Sequence, residues 1–477
     1  MTLRLPKRWL LLIFVLFALL LLFSRFYNVD KTARFIWDES SDLVRMHQIF
    51  NEKNLTLIGP ISEDGNKVFG SLTYYMLLPF TILGNFDPLS PTLGAAFWGV
   101  VTAILIVYLA ARVNKNILLF ILPIAVFWYP LVETGRWAWN PNLIPFWVTL
   151  ALIFYLRKSI FSKFLSGALM GLALHHHYLS GFAALGLALM ILLTSPKEIK
   201  MKEFFSFSAG AFLAILPFIV FDLTHPPGLF LSRILYFNYL GGPGEKASLL
   251  KNLVSIVDGT FGYFTQSNLF KAVLFISWLA LIYTDIKNRS KALPFAGVFL
   301  VQILGLLFVK DFYVHYVLPA VPFFLLYLIY PRKALGKTLS YISLSLLLLS
   351  SLFSFPKQIT KVTWEGDIAS VKYITSIIEQ KIKEDDLKNA NLAVLSSPDP
   401  NTYGRRFRDL LLLKGVSLRT KEEYQITDAL FVVTTDNSEA LRADPAYEMN
   451  YFRNGPLVKK WEVPDSDWRI FLFSRPI

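Results

Sequence analysis

A small group of carboxylates near the amino terminus is the first feature able to do chemistry. Asp38, Glu39 and Asp42 lie in the stretch RFIWDESSDLVRMHQIF, which follows an apolar run from Trp9 to Phe23. A carboxylate acts as a general base when a substrate hydroxyl reaches it. The alternative is structural, because aspartate and glutamate also favour the first turn of a helix.

Four further motifs place polar side chains between long apolar runs. They are HHH with His176 and His177, ETGRWAWNPN with Arg136 and Asn140, FDLTHPP with Asp222 and His225, and KDFYVHY with Lys310, Tyr313 and His315. Three also have a structural interpretation, because HHH would cap a span at the membrane interface, WNPN would begin a helix and KDFYVHY would form an aromatic belt. Adjacent helical residues point about 100° apart, so the histidines of HHH are not expected to face one ligand.

The composition places these motifs in a membrane protein. Of the 477 residues, 54% are hydrophobic and only 17% are charged, which is too apolar for a soluble protein of this length. The net charge of +13 would suit nucleic acid, but the basic residues are scattered in short clusters between apolar runs. Positive-inside topology accounts for them better, so no nucleic-acid partner is expected. The absence of cysteine excludes disulfides and thiolate metal sites.

The apolar runs predict a polytopic protein of about eleven transmembrane helices. The runs cover 9–23, 91–111, 116–131, 141–156, 164–178, 179–194, 203–222, 266–285, 292–309, 312–330 and 336–354. If every second connection is cytoplasmic, each of those connections holds a basic cluster, such as Lys197, Lys200 and Lys202, and the opposite connections hold few basic residues. The amino terminus, with Arg4 and Arg8 before a first span that is not cleaved, is then cytoplasmic and the carboxy terminus extracytoplasmic.

One apolar segment, GSLTYYMLLPFTILG at 70–84, is left out of the spans. If it crossed the membrane, every later basic cluster would move to the outside, so it is predicted to be a helix on the outer leaflet. The membrane domain is therefore predicted at 1–355, with a first outer loop at 27–90.

The region 356–477 is more polar and has its own pattern. VKYITSIIEQKIK and YGRRFRDLLLLKG are typical of helices, the second with a glycine stop, and NLAVLSSPD and DALFVVTTD are typical of strands. These elements predict a small extracytoplasmic α/β domain with its own core. The predicted fold is thus mainly α, with this domain at the carboxy terminus.

The topology brings the polar motifs to one side of the membrane. All six histidines fall in outer loops or at outer span ends, although only lysine and arginine were used to orient the chain. The WNPN, FDLTHPP and KDFYVHY motifs lie at the same level. Convergence of polar and titratable groups on one membrane face predicts a site there.

This layout resembles the GT-C glycosyltransferases. Within them the chain is most similar to the polyprenyl-phosphate-sugar-dependent branch, which includes protein O-mannosyltransferases and the lipid A aminoarabinose transferase. The resemblance covers residues 1 to about 355 in layout. Its most specific motif is WDE, at Trp37, Asp38 and Glu39, placed in the outer loop after the first span.

The resemblance implies a multi-pass enzyme that moves a sugar from a polyprenyl-phosphate donor to a hydroxyl at the outer face of the cytoplasmic membrane. Asp38 is then the general base for an inverting attack, since a phosphate leaves without a general acid. Glu39, the next residue, would point away from the position of the Asp38 carboxylate and would orient a loop or bind a cation. Arg136 and Lys310 would bind the leaving phosphate, because cationic side chains at span ends lie where it should sit.

The remaining polar residues are assigned to donor or substrate binding. Tyr313 and His315 would add hydrogen bonds to the phosphate. His176, His177, Asp222, His225 and Asn140 would contact substrate or, alternatively, hold a divalent metal, although no spacing among them is diagnostic of a metal site. The acceptor stays open between a lipid, a glycan and a protein hydroxyl, with membrane lipids as the other partners.

Other functional classes also have many spans. A lipid or polysaccharide transporter or flippase would place charges near the bilayer midplane and show repeated halves. The sequence has no internal repeat, and the centres of its apolar runs hold few ionisable residues. A polysaccharide polymerase or ligase would share the outer-face chemistry and stays an alternative, as does a structural or receptor role.

Overall fold

A computed structural model describes residues 6–62, 67–232, 249–309, 311–360, 367–395 and 402–476. Helices make up most of these residues. The α-helices are Lys7–Phe26, Val29–Thr32, Trp37–Glu52, Leu72–Leu83, Ser90–Val113, Leu118–Phe127, Tyr129–Thr134, Ile144–Tyr155, Ile160–His176, Ser180–Thr194, Lys200–Thr224, Leu249–Thr265, Asn268–Lys287, Leu293–Gly305, Val321–Ile329, Ala334–Thr360, Ile368–Glu384, Arg405–Leu413 and Ser438–Ala443. Short 3₁₀ helices are Lys115–Ile117, Asn140–Leu143, Leu306–Phe308, Val314–Ala320, Tyr424–Ile426 and Tyr447–Tyr451. The strands are β1 (Ile58–Ile61), β2 (Val68–Gly70), β3 (Ala390–Leu395), β4 (Ala429–Thr434), β5 (Leu457–Glu462) and β6 (Arg469–Ser474).

Helical residues occupy every predicted span. Within the described ranges, 4 helices are long and apolar enough to cross a membrane: Ser90–Val113, Lys200–Thr224, Asn268–Lys287 and Ala334–Thr360. Shorter helices lie in the other runs, with Ile144–Tyr155 in 141–156 and Ile160–His176 in 164–178. The run 312–330 begins with a 3₁₀ helix that contains Pro319, which lacks an N–H to donate. The prediction of a mainly α, polytopic membrane protein is confirmed. The orientation of its termini stays a prediction.

The chain divides into two compact units, each assembled from separate segments. The first unit comprises Met1–Tyr27, Thr56–Pro79 and Leu93–Ile359. Small residues allow its helices to pack closely, as membrane helices commonly do. A side chain at Gly167 would strike the Phe207 carbonyl of the helix Lys200–Thr224. Strands β1 and β2 form an antiparallel hairpin in this unit.

The second unit comprises Asn28–Leu55, Phe80–Thr92 and Thr360–Ile477. Its sheet has the order β3-β4-β6-β5, with β3 and β4 parallel and the other pairs antiparallel. Every residue of β3 and β4 is buried, as the largely apolar sequences of the two strands predict. The predicted α/β domain is confirmed, although the end of NLAVLSSPD beyond Leu395 lies outside the described residues.

Two predictions about organisation are not tested. The helix expected at 70–84 is present as Leu72–Leu83, but its place on the outer leaflet stays a prediction. The boundary between 1–355 and 356–477 also stays a prediction, and the segment 28–55, which carries Asp38, belongs to the second compact unit.

Candidate active site

The carboxylates of the WDE motif lie in the first turn of the helix Trp37–Glu52. The Ile36 N–H, which has no partner within the helix, donates to Glu39 Oε2 at 2.8 Å. Glu39 is 1% exposed, so this carboxylate serves the helix start. Asp38 is partly exposed, and the two adjacent acids therefore have different environments.

The HHH motif ends the helix Ile160–His176, and its three rings diverge. His175 Nε2 lies 2.9 Å from the Ala214 carbonyl oxygen, and its ring packs on Phe218. His176 and His177 contact two other sets of residues. The rotation of about 100° per helical residue explains this divergence.

Both ring nitrogens of His176 are engaged within the first unit. Trp147 Nε1–H donates to His176 Nε2 at 2.8 Å, so Nε2 carries no proton and the neutral ring is protonated at Nδ1. Nδ1 then donates to Thr73 Oγ1 at 2.8 Å. Asn140 Nδ2 donates to the His176 carbonyl oxygen at 2.6 Å. These bonds make His176 and Asn140 parts of a buried structural network and leave His176 without a lone pair for a metal.

Thr73→Val is expected to lower the free energy of unfolding by about 1–3 kcal/mol, because it leaves the buried His176 Nδ1–H without an acceptor. Thermal unfolding in detergent would measure the loss. Thr149→Val is the matched control, because the buried Thr149 hydroxyl bonds only the Pro145 carbonyl of its own helix. Equal effects of the two substitutions would contradict the proposed proton position.

The largest group of candidate residues surrounds His177 and His315 in the first unit. The His177 ring stacks on Phe69 at 5.1 Å between centroids and meets the His315 ring edge-on at 5.4 Å. His315 also meets the Trp139 ring edge-on at 4.5 Å. We define the histidine–aromatic cluster as six residues, each of whose rings contacts at least one of the others: Phe69, Trp137, Trp139, His177, His315 and Tyr316.

Hydrogen-bond donors accompany these rings. The His177 Nδ1 accepts from the Leu179 N–H at 3.3 Å, so Nε2 carries the proton of the neutral ring. His315 makes ring contacts but no hydrogen bond to any described residue, so its nitrogens remain available. Tyr313 is 55% exposed beside it. Lys310 lies outside the described residues.

Sequence reasoning missed Lys67, which precedes β2. Its ammonium group interacts electrostatically with both His177 and His315. A lone lysine in a long polar loop carries no pattern of its own, and only the hairpin of β1 and β2 brings it to the cluster.

Arg136 is buried and bonds the end of the first helix, Lys7–Phe26. Its guanidinium donates to the carbonyl oxygens of Ser24 at 3.2 Å, Arg25 at 3.3 Å and Tyr27 at 3.0 Å. Helix carbonyls at this end lack intrahelical donors, and a cation is favoured there. Arg136 therefore caps a helix, and its role in phosphate binding stays a prediction.

Asp222 and His225 are occupied by their own loop. The Asp222 carboxylate accepts from the backbone N–H groups of Leu229 at 2.8 Å and Ser232 at 2.9 Å. His225 is exposed and stacks on Phe221. No set of three or more histidine, aspartate or glutamate side chains in the described part of the chain is arranged to hold a metal ion.

Comparison with known proteins identifies the fold. No protein family matches the sequence, and no curated protein is similar to it in sequence. The structure resembles the crystal structure of ArnT from Cupriavidus metallidurans bound to undecaprenyl phosphate, with 12% sequence identity, 98% of each chain covered and a TM-score of 0.61. For ArnT of the same organism in the apo state the identity is 11%, the coverage is again 98% of each chain and the TM-score is 0.62.

ArnT is a lipid A aminoarabinose transferase and a GT-C enzyme. The chain therefore has the fold of ArnT, which confirms, at the level of the fold, the resemblance predicted from the WDE motif and the layout of spans. Its apolar helices and this fold make it a multi-pass membrane protein.

Proposed function

We propose that this GT-C-like membrane protein is a glycosyltransferase that moves a sugar from a polyprenyl-phosphate donor to an acceptor hydroxyl outside the cytoplasm. The observation that carries the proposal is the fold shared with ArnT over 98% of both chains, because one of those ArnT structures is bound to undecaprenyl phosphate. The position of WDE after the first membrane helix supports it.

Asp38 is the proposed general base. It removes the proton of the acceptor hydroxyl while the oxygen attacks the anomeric carbon, and the bond from that carbon to the phosphate oxygen breaks on the opposite face. The sugar is transferred with inversion and the polyprenyl phosphate leaves. The partial exposure of Asp38, in contrast to the capping bond of Glu39, favours Asp38 for this role.

The histidine–aromatic cluster with Lys67 is proposed to bind the donor. Aromatic rings supply apolar area, and Tyr, Trp and His add polar tips suited to a ligand with a lipid and a charged part. Lys67 and a ring N–H of His315 would contact phosphate oxygens with charge-assisted hydrogen bonds. Asn140, His176, Asp222 and His225 stay sequence-based predictions and are left out of this proposed set, because they make other contacts.

A transfer assay tests the proposal directly. Membranes with and without the protein would be given a panel of radiolabelled undecaprenyl-phosphate sugars, and labelled acceptor would be separated from donor by chromatography. We expect transfer with at least one donor only in membranes that contain the protein. Protein-dependent movement of an intact labelled donor across a proteoliposome bilayer, with no transfer from any donor, would instead favour a flippase.

His315→Phe is expected to weaken binding of undecaprenyl phosphate by about 10–100-fold, because a hydrogen bond to a charged group contributes about 1.5–3 kcal/mol. Phenylalanine keeps the ring that packs on Trp139. Binding to the purified protein would be measured by the thermal shift that the lipid phosphate produces. His225→Phe is the control, because this exposed histidine lies outside the cluster. Unchanged binding by His315→Phe would remove His315 from the proposed donor site.

A further inference from the structure

A helix of the carboxy-terminal region contacts the helix that carries Asp38. Asp409, in the helix Arg405–Leu413, accepts a hydrogen bond from Ser40 Oγ at 2.6 Å. Ser41 Oγ lies 3.2 Å from the same Asp409 oxygen. Both serines belong to the first turns of the helix Trp37–Glu52, directly after Asp38 and Glu39.

The helix Arg405–Leu413 makes two more contacts with the start of the helix Trp37–Glu52, one with its first residue and one with a residue just before it. The Arg405 guanidinium lies over the Trp37 ring, 5.9 Å from its centroid. Arg406 Nη1 donates to the Phe35 carbonyl oxygen at 3.4 Å. The residues on both sides of Asp38 are therefore held by side chains that lie about 370 positions later in the chain.

The hydrogen-bond geometry singles out one contact. A serine hydroxyl has one hydrogen to donate. Ser41 Oγ is closer to the Trp37 carbonyl oxygen, at 2.7 Å, than to Asp409, whereas Ser40 Oγ is closer to Asp409 than to that carbonyl, which is 3.1 Å away. Ser40 is completely buried and the Asp409 side chain is only 17% exposed, so water competes little for the Ser40–Asp409 bond.

The proposed contact needs a hydrogen-bond acceptor at position 409 but does not need a negative charge there. Burial raises the pKa of the Asp409 carboxyl above its ordinary value, although the Ser40 hydroxyl and Arg405, 3.8 Å away, act in the opposite direction. A carboxyl whose pKa is raised by folding is less favourable in its ionised form in the folded protein. Asparagine would keep an oxygen that accepts from Ser40 and would remove the buried charge.

We propose that Asp409 is a positioning residue that fixes the first turn of the helix Trp37–Glu52, and with it Asp38, through its hydrogen bond with Ser40. The inference rests on the proposed function, in which Asp38 is the base. It gives the carboxy-terminal domain a specific part in catalysis, although no residue of that domain touches the reacting atoms in this scheme.

Kinetics of the full-length enzyme test the catalytic half of the inference. With the undecaprenyl-phosphate sugar that the panel identifies as donor, Asp409→Leu and Ser40→Ala are each expected to lower kcat by about 10–100-fold with KM changed less than about threefold, because small misplacements of a catalytic group cost rate rather than binding. Asp409→Asn should retain kcat within about threefold, because it keeps the acceptor. Equal losses in Asp409→Leu and Asp409→Asn would overturn a role based on the Ser40 hydrogen bond.

Hydrogen–deuterium exchange tests the structural half without any substrate. Asp409→Leu and Ser40→Ala should speed amide exchange in the peptide that covers residues 37–44, and Asp409→Asn should not. Glu379→Gln is the matched control, because Glu379 accepts from Lys414 at 2.6 Å and Lys383 at 2.7 Å within the carboxy-terminal region. That control should leave exchange at 37–44 and kcat unchanged.

Amide exchange and kcat together separate failure of the positioning role from failure of its link to catalysis. Unchanged exchange at 37–44 in both Asp409→Leu and Ser40→Ala would overturn the positioning role, whatever the rates are. Faster exchange with unchanged kcat would keep the structural role of the Ser40–Asp409 bond and overturn its part in catalysis. Failure of the proposed function would appear separately, as full activity of Asp38→Asn.

Discussion

Asp38→Asn is expected to lower kcat for sugar transfer by about 10²–10⁴-fold, the range that general base catalysis contributes. Asparagine has the size of aspartate but takes no proton at neutral pH, so the acceptor hydroxyl must attack as a neutral nucleophile. The substitution should not disturb the helix start, because the Ile36 N–H keeps its bond to Glu39. The loss should therefore fall on kcat, with donor binding unchanged. Initial rates with the radiolabelled donor, at equal protein content, would measure it.

Two control variants distinguish catalysis from helix stability. Glu52→Gln removes an exposed charge at the far end of the same helix and should leave the rate unchanged. Glu39→Gln keeps an oxygen that accepts from the Ile36 N–H and should retain most activity. If Asp38→Asn transfers sugar as fast as the native protein, Asp38 is not the base. The search then moves to Glu39 and to the buried Asp42.

Local and periodic features of the sequence predicted the elements well. Apolar runs identified helices because a membrane span must be long and apolar, and this requirement acts on each segment separately. The strand β4 and the helix Arg405–Leu413 were also predicted, because their periodicity and the glycine stop at Gly415 are local signals. The divergence of the HHH side chains also follows from helix geometry alone.

The partners of the candidate residues could not be predicted in the same way. Phosphate binding by Arg136 stays a prediction, but the carbonyls that its buried guanidinium contacts lie more than 100 positions earlier and had no signal in the sequence. Asp409 and Ser40 are 369 positions apart, so no periodicity links them. Such contacts are set by the tertiary arrangement, and a single sequence contains no pattern that specifies them.

Arg332→Met is expected to lower the free energy of unfolding of the first compact unit by about 3–5 kcal/mol, the usual effect of breaking a buried ion pair. The Arg332 guanidinium contacts the Asp285 carboxylate with Nε at 3.0 Å and Nη2 at 2.8 Å. Each side chain is only 3% exposed. Removal of the arginine leaves the buried Asp285 carboxylate without its counter-charge. Unfolding in a denaturing detergent titration would measure the loss.

Two comparisons make that prediction specific to the buried pair. Arg332→Met combined with Asp285→Leu removes both charges and should recover much of the stability, because no buried charge is then left unpaired. Lys372→Met breaks an exposed pair with Asp87, with side chains 45% and 37% exposed, and should cost less than about 1 kcal/mol. A double variant as unstable as the single one would show that packing by the arginine, and not charge, is what stabilises this site.

Arg332 also belongs to a basic cluster that predicts a cytoplasmic connection, so a loss of stability must be separated from a change of topology. Lys333 and Lys337 remain in Arg332→Met, and two basic residues suffice to keep a short connection on the cytoplasmic side. The single and double variants should therefore insert with the same orientation as the native protein, while only the single variant is unstable. Because both variants lose the same positive charge, a topological effect would appear equally in both, whereas a buried unpaired carboxylate exists in one of them alone.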